Sequence, residues 1–503
     1  MKTLDSSLEF IRRIQREIFS LNGTVALLDW DQKTYMPTWG ARERADQISL
    51  ISRLIHEKTT CEKLFRHVEK LWGRLEELDN REQVIVKRLR RDVEKARKIP
   101  SDFVERLSKT VSIAFTVWEK AKRKNDFNRF VPHLERIIEL EKEYSELIDL
   151  PGHPYNSLLD DYEEGMSVEK LKKAFSYLRS EIVDILARIR SSDVFRKQYI
   201  LNGRFDVERQ KKICEFLLHK MGISRKVSRL DVSTHPFTTS IGYNDVRITT
   251  NYKSSQPLFS FFSTMHEAGH ALYELGLPKK EYGYTVVCDA ASLGLHESQS
   301  RFWENIIARG KHFWKYFYPV FLKTFPWQLK KWDLQTWYLY VNQVRPSCIR
   351  IEADELTYPL HIILRFEIEL GLIDGKIEAR DLPCIWNEKM MDMLGIEPKN
   401  DAEGVLQDMH WSTGDFGYFP TYAIGNVYAS QLFHQLLKEK PDVGNEIEQG
   451  NLQGIVKWLR EHVYRYGRMM TAEEIIRRTC GEGLNAKVFV DYLKDKYLAL
   501  YEV

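Results

Sequence analysis

Apolar positions recur at three- and four-residue steps through most of the chain, the spacing of helices that bury one face. Residues 205–222 are a clear case. Phe205, Ile213, Phe216, Leu217 and Met221 form one stripe, and Gly222 supplies a C-terminal stop. Residues 81–98 (REQVIVKRLRRDVEKARK) are dense in charge of both signs and read as a solvated helix face rather than a binding patch. PGHP at 151–154 is the strongest break in the first half. Between 231 and 252 the pattern changes. DVSTHPFTTSIGYNDVRITTNY is rich in Thr, Val, Ile and aromatic residues, with IGYN as a turn signal. It predicts two or three short strands in one small sheet. Helical patterning resumes near Pro257 and runs with short breaks to the C-terminus. Without a linker or repeat, the expected architecture is one mainly α-helical unit spanning 1–503. Its parts are a helical half over about 1–225, the sheet over about 231–252 and a second helical half over about 255–503.

Composition narrows this further. Only 26 glycines and 16 prolines punctuate 503 residues, which suits long helices better than a many-stranded sandwich. A formal net charge of +3 gives no reason to expect a nucleic-acid or anionic-membrane partner. No run approaches the roughly 18 apolar residues of a membrane span, and the N-terminus lacks a signal-like apolar stretch. A soluble, cytoplasmic protein is expected. Cys61, Cys214, Cys288, Cys348, Cys384 and Cys480 are scattered with no CxxC pair. That pattern predicts free thiols and argues against both a disulfide framework and a thiolate metal site.

The segment PLFSFFSTMHEAGHALYELG (257–276) carries the chemistry. On a helix His266 and His270 lie one turn apart on the same face, so both imidazoles can reach one metal ion. Glu267 projects beside that ion, placed to take a proton from activated water. Phe261, Phe262, Met265, Ala268, Leu272 and Leu275 can bury the other sides. With the histidine and acid counts of this chain, about 0.06 such His-acid-x-x-His runs are expected by chance. The plainer alternative is a core helix with two satisfied histidines. A catalytic zinc wants a third protein ligand and an open position. No HExxHxxGxxH continuation follows, and Glu274, one turn further on, would draw the metal away from His266. A carboxylate from another helix is the better source. Within AASLGLHESQSRFWENII (290–307) Glu297 is the leading candidate, with His296 and Glu304 as rivals.

Taken together, several short runs resemble the M32 metallocarboxypeptidases, the Taq-type thermostable carboxypeptidase family. They are His235-Pro236-Phe237, Asp245-Val246-Arg247-Ile248-Thr249, HEAGH, HESQ, IRIEAD (349–354) and GVLQDMHW (404–411), in the family's order. DWDQKTYMP (29–37) and LLDDYEEGM (158–166) also resemble the family, so the likeness spans nearly the whole chain. The resemblance implies Glu297 as the third ligand of one zinc ion, with cobalt or another divalent ion also able to occupy such a site. It further implies a helical fold with a deep groove, similar to neurolysin and angiotensin-converting enzyme, a homodimer, and removal of C-terminal residues from peptides with broad tolerance.

Within that expectation each residue has a role. Glu267 is the general base and proton carrier. His410 and Tyr422 are candidates for stabilising the oxyanion. Arg350, and after it Arg247, can read the substrate carboxylate with a forked guanidinium. The plainer role for each arginine is a structural salt bridge, to Asp354 or Asp245. His235 and Phe237 can line the substrate site, or merely turn the chain at a strand end. Asp354, Asp245 and Glu304 are candidate partners for the imidazoles. Two other functions use the same groove: an oligopeptidase cutting internal bonds, and an inactive peptide-binding protein.

Overall fold

The computed structural model of the chain describes residues 2–197 and 199–503. Helices α1 (Lys2–Thr34), α2 (Ala41–Thr60), α3 (Glu62–Trp72) and α4 (Asn80–Lys98) come first. They contribute a small core that includes Leu8, Ile11, Leu64, Val68, Val86 and Leu89. Asp79 caps α4 by accepting the Glu82 backbone N–H at 2.7 Å, and the helix buries Ile85, Val86, Leu89 and Val93. The highly charged run is therefore not simply a solvated face. Its charges are partnered: Arg88 binds Glu164 at 2.8 Å, while Arg91 and Lys95 reach Asp160 at 2.6 and 2.8 Å. The run ties α4 to the LLDDYEEGM segment itself.

From Ala114 onward most of the buried apolar residues belong to one larger core, while Val287 packs into the small one. It takes in α5 (Ser101–Lys124), α6 (Val131–Ile148), α7 (Val168–Ser191) and α8 (Val207–Lys220) together with the second half of the chain. The division between cores thus falls near residue 100. PGHP follows the end of α6, and Gly222 closes the turn after α8 at φ +79.

The sheet has three strands, β1 (Ser228–Val232), β2 (Thr238–Gly242) and β3 (Asp245–Thr250), in the order β1-β3-β2. β3 is central, parallel to β1 and antiparallel to β2, and buries Val246 and Ile248. In β2, Thr238 lies opposite Ile248 and Ser240 opposite Val246. Two-residue spacing puts both hydroxyls on one face. That face meets α9 (Pro257–Gly276), whose first position is proline and whose Phe261, Met265, Ala268 and Leu272 are buried.

The remaining site-bearing helices are α10 (Leu293–Arg301), α11 (Tyr358–Ile373) and α12 (Pro420–Glu439), followed by the last helix, α13 (Ala486–Tyr501). α10 runs on into a π-helical turn, Phe302–Ile307, and packs between α9 and α12. The chain is mainly helical with one small sheet, as its periodicity predicts. Among the described residues no helix is long and apolar enough to cross a membrane.

Candidate metal centre and active site

Helix α9 presents His266, His270 and Glu274 at four-residue steps, and Glu267 beside them. The crossing of α10 depends on two glycines. A Cβ on Gly269 would lie 2.5 Å from the Gln299 carbonyl oxygen and 2.8 Å from Ser300 Cα. A Cβ on Gly425 of α12 would lie 2.8 Å from Glu297 Cγ. Bare backbone on both sides lets α10 sit deep enough to carry Glu297 up to the two histidines.

Donor atoms of His266, His270 and Glu297 lie within 4.8 Å of one another, the one such group of histidine, cysteine and acidic residues found among the described residues. Glu297 Oε2 is 3.4 Å from His270 Nε2 and 3.7 Å from His266 Nε2. A tetrahedral cation with bonds of 2.0–2.2 Å holds its donors about 3.3–3.6 Å apart. The spacing, and a set of two imidazoles and one carboxylate, fit a divalent cation of the zinc type.

The far sides of these three side chains are held. His266 Nδ1 is 2.9 Å from Glu304 Oε2, on the π-helical turn. His270 Nδ1 is 2.6 Å from His296 Nδ1, whose own Nε2 is 3.1 Å from Glu274 Oε1. Glu297 Oε1 accepts from Arg301 Nε at 2.6 Å, and its Oε2 from the Ser300 hydroxyl at 3.0 Å. Of the three acids expected near the imidazoles, Glu304 alone meets one. Asp245 binds Arg247, and Asp354 accepts the Arg345 and Thr357 backbone N–H groups.

Burial and charge divide these groups. Burial opposes a charged His266, but Glu297, Glu304 and Glu267 outweigh it and lift its pKa to about 9. Burial, with His296 and His266 alongside, pushes His270 down to about 3. Burial would raise Glu297, yet Arg301 and the two imidazoles hold it well below the usual carboxylate range. Glu267 is buried, and burial raises its pKa against the pull of His266 and of Thr238, whose hydroxyl stands 2.8 Å from its Oε2. A carboxylate raised in this way is a better proton acceptor at neutral pH.

A second cluster faces this one across Tyr358 and Tyr422. Arg350 is buried, with Nε and Nη2 at 3.1 and 2.7 Å from Asp408 Oδ1 and Nη1 donating to Tyr358 at 2.9 Å. Arg365 takes the other Asp408 oxygen at 2.8 and 2.5 Å. The salt bridge of Arg350 is thus to Asp408, not to Asp354 or Asp245. Two guanidiniums share one carboxylate, which leaves positive charge unmatched. Arg247, in contrast, is matched one to one by Asp245, at 2.9 Å through both nitrogens, and stacks 4.2 Å over Trp30. His410 Nε2 is 3.3 Å from the Tyr422 hydroxyl, while its buried Nδ1 has no partner. Burial keeps His410 neutral, down at about 3. His235 is exposed between β1 and β2, where its carbonyl accepts from Ser233. Its side chain joins neither hydrogen-bonded cluster.

Sequence reasoning missed several supporting residues. Arg301 was visible as an acid–base pair at i,i+4. Thr238, Ser300 and the two glycines gave no signal, because their partners are set by tertiary contact. The DDYEEGM run supplies Glu163, which is buried and accepts the Gly294 backbone N–H at 3.1 Å and the Tyr428 hydroxyl at 3.3 Å. It thereby anchors the start of α10. Glu369 of α11 likewise accepts from Tyr155, from Trp411 Nε1 at 2.8 Å and from the Gly417 N–H at 3.1 Å, which fixes the turn bearing His410.

Residues 10–497 match a family described as carboxypeptidase Taq (M32) metallopeptidase. The chain is 38% identical over 498 residues to carboxypeptidase 1 of Bacillus subtilis, covering 98% of this chain and 99% of that one. It is 39% identical over 485 residues to thermostable carboxypeptidase 1 of Pyrococcus furiosus, covering 96% and 97%. The solved structure of the M32 carboxypeptidase from Deinococcus radiodurans R1 superposes with a TM-score of 0.95 at 35% identity, covering 99% and 100%.

Proposed function

Since the chain belongs to the carboxypeptidase Taq (M32) metallopeptidase family and is a metallocarboxypeptidase dependent on a divalent metal ion, we propose that His266, His270 and Glu297 hold one zinc ion and that Glu267 is the general base. The observation that carries this reading is the spacing of Glu297 Oε2 from both imidazoles, with a carboxylate behind His266, an imidazole behind His270 and a guanidinium behind Glu297. When bound, such an ion supplies Lewis acidity and makes water acidic near neutral pH. Glu267 accepts the proton of the attacking water and delivers it to the leaving amide nitrogen. Thr238 holds the Glu267 carboxylate in place for both transfers. His410 and Tyr422 donate to the developing oxyanion, which their contact with each other and the charge interaction of Tyr422 with Glu297 support.

Arg350 reads the terminal carboxylate of the peptide. Charge balance favours it over Arg247, because the Arg350–Arg365–Asp408 group carries a surplus positive charge and Arg247–Asp245 does not. His235 is assigned a place at the substrate-lining loop before β2, with contact made only when peptide is present. The whole of 1–503 acts as one catalytic unit, in the cytoplasm, where its six unpaired cysteines would stay reduced. A homodimer is the assembly the family resemblance favours, and sedimentation velocity tests it.

Mass spectrometry of a free-ended peptide over time tests the activity. Single residues lost in order from the C-terminus, abolished by chelator and by C-terminal amidation, are the expected result. Internal fragments from the amidated peptide would instead make the protein an oligopeptidase.

A further inference from the structure

We infer that His296 and Glu274 form a positioning relay that sets which nitrogen of His270 is free to bind the metal. The inference rests on the proposed ligand set. A ligating imidazole must carry its proton on the nitrogen that faces away from the metal, and a partner normally enforces this. For His266 the partner is a carboxylate, Glu304, at 2.9 Å. On the far side of His270 no carboxylate takes this place. Its Nδ1 meets another imidazole, His296, at 2.6 Å, and two imidazoles can hydrogen-bond only if one nitrogen donates and the other accepts.

Glu274 decides which. Its Oε1 is 3.1 Å from His296 Nε2, and a carboxylate only accepts, so the His296 proton resides on Nε2. His296 Nδ1 is then an acceptor, His270 must donate from Nδ1, and the Nε2 lone pair of His270 is left facing Glu297 Oε2. Without Glu274, His296 can move its proton to Nδ1 and donate to His270. That forces the His270 proton onto Nε2, the atom the metal needs. The parts are well held: His296 sits next to the ligand Glu297 on α10, and Glu274 lies one turn beyond His270 on α9. A glutamate whose carboxylate binds His296 rather than His270 therefore controls His270.

The test is metal affinity, measured with zinc against a competing chelator, together with the Co2+ absorption spectrum and the melting temperature of the chelator-treated protein. Glu274→Met, close in size but unable to accept, is expected to weaken zinc binding about 10–100-fold. Glu274→Gln, which can still accept from His296, should stay within about threefold. His296→Ala should match Glu274→Met, His296→Asn should recover most of the affinity by placing an amide oxygen near the Nδ1 position, and the Glu274→Met/His296→Ala pair should be no worse than either alone. Equal zinc affinity and an unchanged Co2+ spectrum in Glu274→Met would overturn the relay. So would losses confined to variants whose metal-free melting temperature also falls. If the variants do not fold, neutron diffraction on the unaltered protein reads the same point: a proton on His270 Nδ1 supports the relay and one on Nε2 refutes it. Failure of the unaltered protein to bind zinc would instead remove the ligand set on which the relay stands.

Discussion

Replacing Gly269 by alanine separates local propensity from tertiary fit. In an isolated helix the change is stabilising by about 1 kcal/mol. In this protein the added methyl would lie 2.5 Å from the Gln299 carbonyl oxygen, where ordinary contact begins at 3.4 Å, so α9 and α10 must part by about 0.9 Å. α10 has little room to retreat, because Gly425 of α12 already meets Glu297 from behind. Overpacking of this kind costs about 1–3 kcal/mol, enough to cancel or reverse the helical gain. The larger effect falls on the metal site. Moving Glu297 by 0.9 Å away from His270 would take its Oε2 from 3.4 Å to about 4.3 Å from His270 Nε2, beyond the spacing of about 3.3–3.6 Å between donors of a tetrahedral site. Zinc affinity by chelator competition should fall at least tenfold while the melting temperature of the chelator-treated protein holds steady or drops. A variant that melts higher and binds zinc within threefold of the parent would show that the close crossing does not position Glu297.

Three further outcomes follow from the same geometry. Glu267→Gln should retain zinc but lose turnover by about 10²–10⁴-fold, and appreciable hydrolysis by the metal-loaded variant would exclude Glu267 as base. Arg350→Met should raise KM for a free-ended peptide by about 10–100-fold and erase discrimination against the amidated form, whereas the same change at Arg247 should do less; the reverse ranking in steady-state kinetics would make Arg247 the carboxylate reader. Glu163 is pushed up to about 7 by burial, against hydrogen bonds from Ser292, Gly294 and Tyr428. A group raised in the folded state stabilises most below its ordinary value of 4.5, and that contribution is lost as pH rises through 7. The stability of the parent relative to Glu163→Gln should therefore fall by a few kcal/mol between pH 4.5 and 7.5, and parallel denaturation profiles would contradict it.

What could be seen in the chain beforehand was what depends on local spacing. His266, Glu267 and His270 declare themselves because four residues make one turn. Strands β2 and β3 declare themselves through β-branched residues around a turn, while β1 begins at Ser228, ahead of the predicted 231–252. Glu297 was visible only as one of three candidates, since its distance from His270 depends on how two helices cross. His296 and Glu304 read as rival ligands, and in the structure both stand behind the proposed ligands His270 and His266. The salt bridge of Arg350 could not be foreseen: its partner Asp408 lies in a turn held by Gln407, whose side-chain oxygen accepts the Arg350 backbone N–H at 2.8 Å.

Glu274 shows why the readable part of the sequence and the working part of the site differ. Helical spacing places it on the ligand face of α9, and distance along that helix disqualifies it as a ligand. In the structure Glu274 binds His296 and lies outside the group formed by His266, His270 and Glu297. Neither deduction reveals that α10 inserts His296 between Glu274 and His270, because that requires the two helices to approach closely. The approach is set by Gly269, a residue whose contribution is the absence of a side chain. Periodicity records which residues share a face and says nothing of how near another helix can come. In this site that nearness places Glu297 beside the two histidines and connects Glu274 to the imidazole four residues before it.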